Sequence, residues 1–186
     1  MKIHKDLLTH DGKSITQNAT GSSLVGKLLD LGFNGDFDHK KSDWNMLFIH
    51  SDGGSGNPHA SLEVTVNVYS REDSSTSPID QDDASDLVNS AYLIASVKVP
   101  ADIIKNGGVV GLPMPRGLKR YFTTAITTNN NTVGTTAAKL TIGITDEVDT
   151  DTRLDWTNYK AKTGTSKVTP RSKNVGDVIA GNFTRP

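Results

Sequence analysis

The chain has 186 residues, 34% of them hydrophobic, a formal net charge of −1 and no cysteine. This length suits one domain with a substantial core, and the missing cysteine excludes disulfides and thiolate metal sites. The balanced charge disfavours nucleic acid and anionic membranes as partners, and no apolar run has the length of a membrane span. The first residues lack the apolar core of a signal peptide, which predicts synthesis in a cytoplasm without cleavable export.

The sequence consists of short strand-like segments separated by turn and loop residues. The clearest is the segment 62–69, where Leu62, Val64, Val66 and Val68 alternate with polar residues and share one face. In chain order, we predict strands at 13–20, 24–31, 44–50, 62–69, 91–99, 109–112, 119–128 and 139–145.

Three segments do not show a simple strand pattern. The leucine spacing at 24–31 also fits a helix, but the glycines within and beside it favour a strand. The acidic, serine-rich excursion 71–90 has a length typical of functional or disordered loops. Residues 100–107 can form one helical turn, with Gly107 as its stop.

The segment 112–128 combines a rigid turn with a long strand. Pro113 and Pro115 have fixed φ angles and no amide donor, so they exclude a helix and a central strand at that point. Gly117 supplies the backbone freedom that a turn needs. From residue 119 onward the sequence is rich in aromatic and β-branched residues, which favour a half-buried strand.

About eight strands with turns between them predict an antiparallel β-sandwich, of jelly-roll or Greek-key type. We assign the domain to residues 1–145. Residues 146–186 are polar with isolated apolar side chains, and we predict an extended, non-globular C-terminal arm. Trp156 and Tyr159 lie three residues apart in this arm, which favours contact with the domain or with a neighbouring molecule.

Motifs for catalysis or cofactor binding are incomplete. Gly12, Lys13 and Ser14 match the end of a phosphate-binding loop, but Leu7 stands where that motif needs its first glycine. The acidic run 146–153 lacks the turn glycine and the final glutamate of an EF-hand loop. The five histidines form no close-spaced pair, and no Gly-x-Ser-x-Gly elbow is present. We therefore predict a protein without catalytic residues, metal or cofactor.

Three cations lie near the start of the strand 119–128. Arg116, Lys119 and Arg120 fit an interface with an acidic partner, because arginine is favoured at buried ion pairs. They fit equally a solvated strand start without a partner. Composition and spacing leave both interpretations open.

The same segment carries a family resemblance. Leu112-Pro-Met-Pro-Arg-Gly-Leu-Lys-Arg-Tyr121, preceded by Val-Pro-Ala-Asp-Ile-Ile (99–104) and followed by the strand 139–144, resembles the capsid decoration, or cement, proteins of tailed bacteriophages. Lys5-Asp-Leu-Leu with Ser14-Ile-Thr also resembles the start of that family. In that family the ten-residue segment links two strands of a jelly roll.

The resemblance covers roughly residues 1–145 and implies a structural virion protein. Such proteins assemble as homotrimers on the outer surface of an icosahedral capsid, where they bridge subunits of the major capsid protein. On this hypothesis we expect the N-terminal segment 1–12 and the arm 146–186 to contact neighbouring subunits or the capsid, although the resemblance itself does not extend over the arm. Trp156 and Tyr159 are then the expected anchors of the arm.

A carbohydrate-binding sandwich that serves as a host-attachment module is the alternative. It requires an exposed aromatic ring beside acidic loop residues, and Trp44 or Trp156 would supply that ring.

Overall fold

The computed structural model describes residues 5–15, 24–32, 46–53, 63–72, 79, 84–115, 117–128, 138–145, 158–160 and 167–168. In these ranges the protein is all-β, and eight strands form two antiparallel sheets that pack face to face as a β-sandwich. None of the helices found there has the length and apolar character that crossing a bilayer requires.

The order of the strands is that of a jelly roll. The smaller sheet contains, in spatial order, β1 (Leu8–Ser14), β8 (Lys139–Thr145), β3 (Met46–Ser51) and β6 (Gly108–Pro113). The larger sheet contains β5 (Leu93–Val99), β4 (Val64–Arg71), β7 (Tyr121–Thr128) and β2 (Leu29–Asp30), and two short strands of the arm extend it beyond β5 to six strands. These orders, 1-8-3-6 and 5-4-7-2, confirm the predicted jelly-roll sandwich of about eight strands.

One hydrophobic core, mostly aliphatic, fills the space between the two sheets. Its central members, each at most 1% exposed, are Leu47, Ile49, Val64, Val66, Val68, Val97, Val110, Leu112, Phe122, Ile126, Leu140, Ile142 and Ile144. The predicted alternation in β4 is confirmed, because Val64, Val66 and Val68 all face this core. Burying one such side chain stabilises the fold by about 1.5–3 kcal/mol.

A second cluster covers the outer face of the larger sheet. Tyr69 and Tyr121 pack there against Leu87, which belongs to the short 3-10 helix Ala84–Leu87. Leu87 is fully buried. The last part of the predicted excursion 71–90 is therefore folded onto the sheet.

The N-terminal strands differ from the prediction. β1 begins at Leu8 and ends at Ser14, earlier than the predicted strand 13–20, of which residues 16–20 lie outside the described ranges. β1 pairs with β8 through two register shifts, and Gly12 has a positive φ of 58°, so the strand shows no clean alternation in the sequence. Residues 8–12 of the predicted contact segment 1–12 thus lie in the smaller sheet.

We call residues 24–32 the strap. A strand was predicted at 24–31, but only Leu29–Asp30 forms one, together with an isolated bridge between Val25 and Ala125. Gly26 explains the difference, because its backbone packs closely on β1 and leaves no space there for a side chain.

The remaining elements include the predicted helical turn and part of the predicted arm. The helix α1 (Ala101–Asn106) is followed by Gly107, which donates its N–H to the Ile103 carbonyl and has a positive φ of 81° that glycine adopts at little cost. Within the arm, β9 (Asn158–Lys160) pairs with β5, and β10 (Lys167–Val168) pairs with β9. The rest of the arm lies outside the described residues.

Phe48 lies between two glycines on the outer face of the smaller sheet. In the register of β3 it is opposite Gly111 on one side and Gly143 on the other, and it is fully buried. A Cβ atom added at Gly143 would lie 2.6 Å from Leu8 Cδ2 and 3.0 Å from Phe48 Cε1. The two side chains therefore occupy the space that a larger residue at 143 would need.

We expect Gly143→Ala to destabilise the protein by about 1–3 kcal/mol, because the added methyl group overpacks this contact. Urea unfolding followed by fluorescence measures the change. Lys139→Ala is the matched control, since Lys139 lies on the outer face of the same strand but is exposed. It should change the unfolding free energy by less than about 0.5 kcal/mol. Equal stability of the two variants would contradict this account of Phe48 and Gly143.

Candidate partner interface

We call residues 114–120 the corner, because they carry the chain from the end of β6 in the smaller sheet to the start of β7 in the larger one. Met114 and Leu118 are buried in the main core at 3% and 0% exposure. Gly117 has a φ of 82°, which is accessible to glycine at little cost. The corner is therefore fixed to the core at two points.

A buried serine of β4 ties the corner to the larger sheet. Ser70 Oγ accepts a hydrogen bond from the Lys119 backbone N–H at 2.7 Å. The same hydroxyl donates to the Tyr121 carbonyl oxygen, also at 2.7 Å. Ser70 is only 6% exposed, and its bond to Tyr121 is buried, while the bond from Lys119 is partly buried.

Arg120 forms a two-pronged ion pair with the strap. Its Nε and Nη2 atoms donate to the two carboxylate oxygens of Asp30 at 2.9 and 2.8 Å. The guanidinium also lies 5.1 Å from the centre of the Tyr121 ring. The Arg120 carbonyl accepts from the Leu31 N–H at 2.8 Å, so backbone and side chain both join corner and strap.

The charge of this pair is partly exposed and responds to acid. The hydrogen bond from Arg120 lowers the pKa of Asp30 below its ordinary value of 3.8, while partial burial acts in the opposite direction. The side chains of Arg120 and Asp30 are 36% and 38% exposed, so screening by water limits the strength of the pair.

The predicted interface residues fall into three groups. Lys119 and Arg120 are half-buried on the corner. Tyr159 lies in β9, where its backbone is opposite Ala95, while Arg116 and Trp156 lie outside the described residues. Of the five predicted residues, the structure thus brings Lys119 and Arg120 together. Their role at an interface stays a prediction.

The sequence reasoning did not find Ser70 or Asp30. Asp30 is 90 positions from Arg120, and no local pattern links the two. Ser70 had a weak signal, because β4 loses its alternation at this end, where Tyr69, Ser70 and Arg71 are all buried. Such a break marks a place where the outer face of a strand is covered.

The phosphate-binding motif, which is incomplete in the sequence, lies in a strand. Gly12, Lys13 and Ser14 lie within β1, a strand, whereas a phosphate-binding loop precedes a helix. In the described part of the chain, no three His, Asp or Glu side chains are grouped closely enough to hold a metal ion. Trp44 and Trp156, the candidate sugar-binding rings, are outside the described ranges.

We expect Ser70→Ala to destabilise the protein by about 1–3 kcal/mol, since the partly buried Lys119 N–H and the Tyr121 carbonyl lose their shared partner. Chemical unfolding measures the loss. Ser14→Ala, at the exposed end of β1, is the control and should be close to neutral. A neutral Ser70→Ala would show that the corner does not depend on this hydroxyl.

A double-mutant cycle with Asp30→Asn and Arg120→Gln should give a coupling free energy of about 0.5 kcal/mol at neutral pH. Because the pKa of Asp30 is lowered from 3.8 in the folded state, this stabilisation is complete above that pH and is lost as the pH falls below it. Unfolding curves at pH 7 and at about pH 3 test both statements. A coupling that persists in acid would contradict the ionic character of the contact.

The chain was compared with known proteins by family and by sequence. No protein-family model matches it, and no curated protein sequence matches it.

Proposed function

We propose that this protein is a capsid decoration protein of a tailed bacteriophage. It acts as a homotrimer on the outer surface of an icosahedral capsid and bridges subunits of the major capsid protein. Its role is structural, without catalysis or cofactor. It is made in the cytoplasm of the host and ends on the virion.

The observation that carries the proposal is the position of the segment 112–121. It forms the end of β6, the corner and the start of β7, so it links two strands of a jelly roll. In the family it resembles, the corresponding segment also links two jelly-roll strands. Sequence resemblance and place in the fold therefore agree at the same ten residues.

The construction of the corner supports a role in binding. Met114, Leu118 and the Ser70 hydrogen bonds fix its backbone, so little conformational entropy is lost when a partner docks. Lys119 and Arg120 offer partly exposed cations to an acidic surface. A carboxylate of the capsid would compete with Asp30 for the Arg120 guanidinium, which favours exchange of one ion pair for another.

Two general effects explain how such a protein stabilises a shell. A ligand that binds only the assembled lattice shifts the equilibrium towards that lattice by mass action. A trimer that contacts several capsid subunits gains further, because its second and third contacts form within a complex that already exists. Each of the three corners in the trimer can then contact the capsid weakly, and the trimer as a whole still binds firmly.

The decisive experiment mixes the purified full-length chain with expanded, undecorated shells of the phage that encodes it and measures co-sedimentation. We expect saturable binding, with added density at local three-fold positions in electron micrographs. Arg120→Ala should weaken binding about tenfold, equivalent to about 1.4 kcal/mol. Absence of binding by the unmodified protein would contradict the proposal.

Lys98→Ala is the matched control for this substitution. Lys98 is also an exposed, ion-paired cation, 2.9 Å from Glu63. It lies opposite Thr65 of β4, whereas the start of β7 lies opposite Arg71, a separation of about 20 Å along the strand. Lys98→Ala should leave shell binding unchanged. Equal weakening by both variants would exclude the corner as the contact surface.

Light scattering gives an independent check of the trimer. The purified protein should have three times the chain mass of 20.0 kDa. A monomer at high concentration would contradict the trimeric assembly.

A further inference from the structure

The strap closes one side of the sandwich, where the edges of the two sheets meet. Its Gly26 N–H donates to the Thr124 carbonyl of β7 at 2.8 Å, and its Lys27 N–H donates to the Thr9 carbonyl of β1 at 2.7 Å. One short segment therefore bridges the smaller and the larger sheet. We call this line of contact the seam.

His10 of β1 is buried in the seam at 3% exposure. Its Nε2 atom lies 3.0 Å from the Leu24 carbonyl oxygen. A carbonyl only accepts, so Nε2 carries the proton, and in the neutral ring Nδ1 is an acceptor. The hydroxyl of Thr124, 3.1 Å from Nδ1, is placed to donate to it. The imidazole thus joins β1, the strap and β7.

The two threonine hydroxyls beside the ring form a chain that can run in either direction. Thr124 Oγ1 lies 2.6 Å from Thr9 Oγ1, which in turn lies 3.2 Å from the Ile142 carbonyl. When the ring gains a proton, Nδ1–H can donate to Thr124, Thr124 to Thr9, and Thr9 to Ile142. With the ring neutral, Thr124 donates to Nδ1 and Thr9 donates to Thr124, so Thr9 has no proton left for the Ile142 carbonyl. Protonation reverses both hydroxyls and adds the bond from Thr9 to Ile142, and its cost is the burial of a charge.

Within the described contacts of the His10 ring, no carboxylate neutralises the charge of the protonated imidazole. The titratable side chains on the four elements around it are Asp11 and Lys13 of β1, Lys27 and Asp30 of the strap, Tyr121 of β7 and Lys139 of β8. Burial lowers the pKa of His10 below 6.5, the hydrogen bond to Leu24 opposes this, and repulsion by Lys13 adds to it.

Gly26 places the strap directly on the ring. A Cβ atom at this position would lie 2.7 Å from His10 Cε1 and 2.7 Å from the Thr9 carbonyl oxygen. Water can therefore solvate a charged imidazole only when the strap moves away from the seam. This packing couples the charge of His10 to the position of the strap.

We propose that His10 is a proton-operated latch, which holds the strap closed on the seam while it is neutral and favours an opened strap once it is protonated. This device is independent of the proposed function, because it rests on the seam and not on the corner.

The direction of the pH dependence follows from linkage. In the opened strap the imidazole is solvated and titrates near 6.5, whereas in the closed strap its pKa is lowered. Closure is therefore favoured fully above that pH and is lost as the pH falls below it. For one proton, the opening equilibrium should increase about tenfold for each pH unit, down to the pKa of the closed state.

Amide hydrogen exchange measured by NMR between pH 7.5 and 5 tests the latch in the full-length protein. After correction for intrinsic exchange, protection of the Gly26 and Lys27 amides should fall in acid, while that of Val66 in the core should not. In His10→Gln, which keeps a donor towards Leu24 but does not titrate, strap protection should be independent of pH. His50→Gln, at a half-buried histidine of β3, should retain the unmodified profile.

Nitrogen chemical shifts of the His10 ring give a second measurement that needs no variant. They should show Nε2–H with an unprotonated Nδ1 at neutral pH, and a titration midpoint below 6.5. Strap protection that is constant across this pH range would overturn the proposal. A pH-dependent loss that persists in His10→Gln, or a midpoint at or above 6.5, would overturn it as well.

Discussion

The structure depends on the contact between two sheets whose inner faces share a single hydrophobic core. Of the connections between consecutive strands of the jelly roll, only β4 to β5 stays within one sheet, while the others cross from one sheet to its partner. Packed sheets lie about 10 Å apart, so each crossing segment must span the edge of the core. The strap and the corner are two such segments, which explains why both bury apolar side chains and still expose polar ones.

Strap and corner also stabilise one another. The strap begins beside a buried imidazole and ends beside a partly exposed ion pair, and the second of these belongs equally to the corner. A disturbance at either end therefore changes a segment that both sheets share. These side-chain contacts act together with the backbone hydrogen bonds of Gly26, Lys27 and Leu31 to fix the position of the chain at this edge.

The sequence contained enough information for the parts of the fold that rest on local pattern. The alternating valines of β4 and the alternating leucine and isoleucines of β8 identified their strands, and Gly107 identified the helix stop. β1 and the strap were placed less well, because their conformation is decided by partners more than 90 positions away, such as Thr124 for Thr9. The cations of the corner were identified from the sequence. Asp30 and Ser70, which position them, could be identified only from the three-dimensional structure.

The pairing of β1 with β8 has a topological consequence. Leu8 lies opposite Gly143, and Thr145 lies opposite Met46, whose other neighbour is Pro113 at the start of the corner. The chain therefore enters its first strand and leaves its eighth at the same end of the sandwich as the corner. Leu8 and Thr145 therefore mark one rim of the sandwich, while α1 lies at the opposite end, beside the start of β6, so the two ends carry different elements.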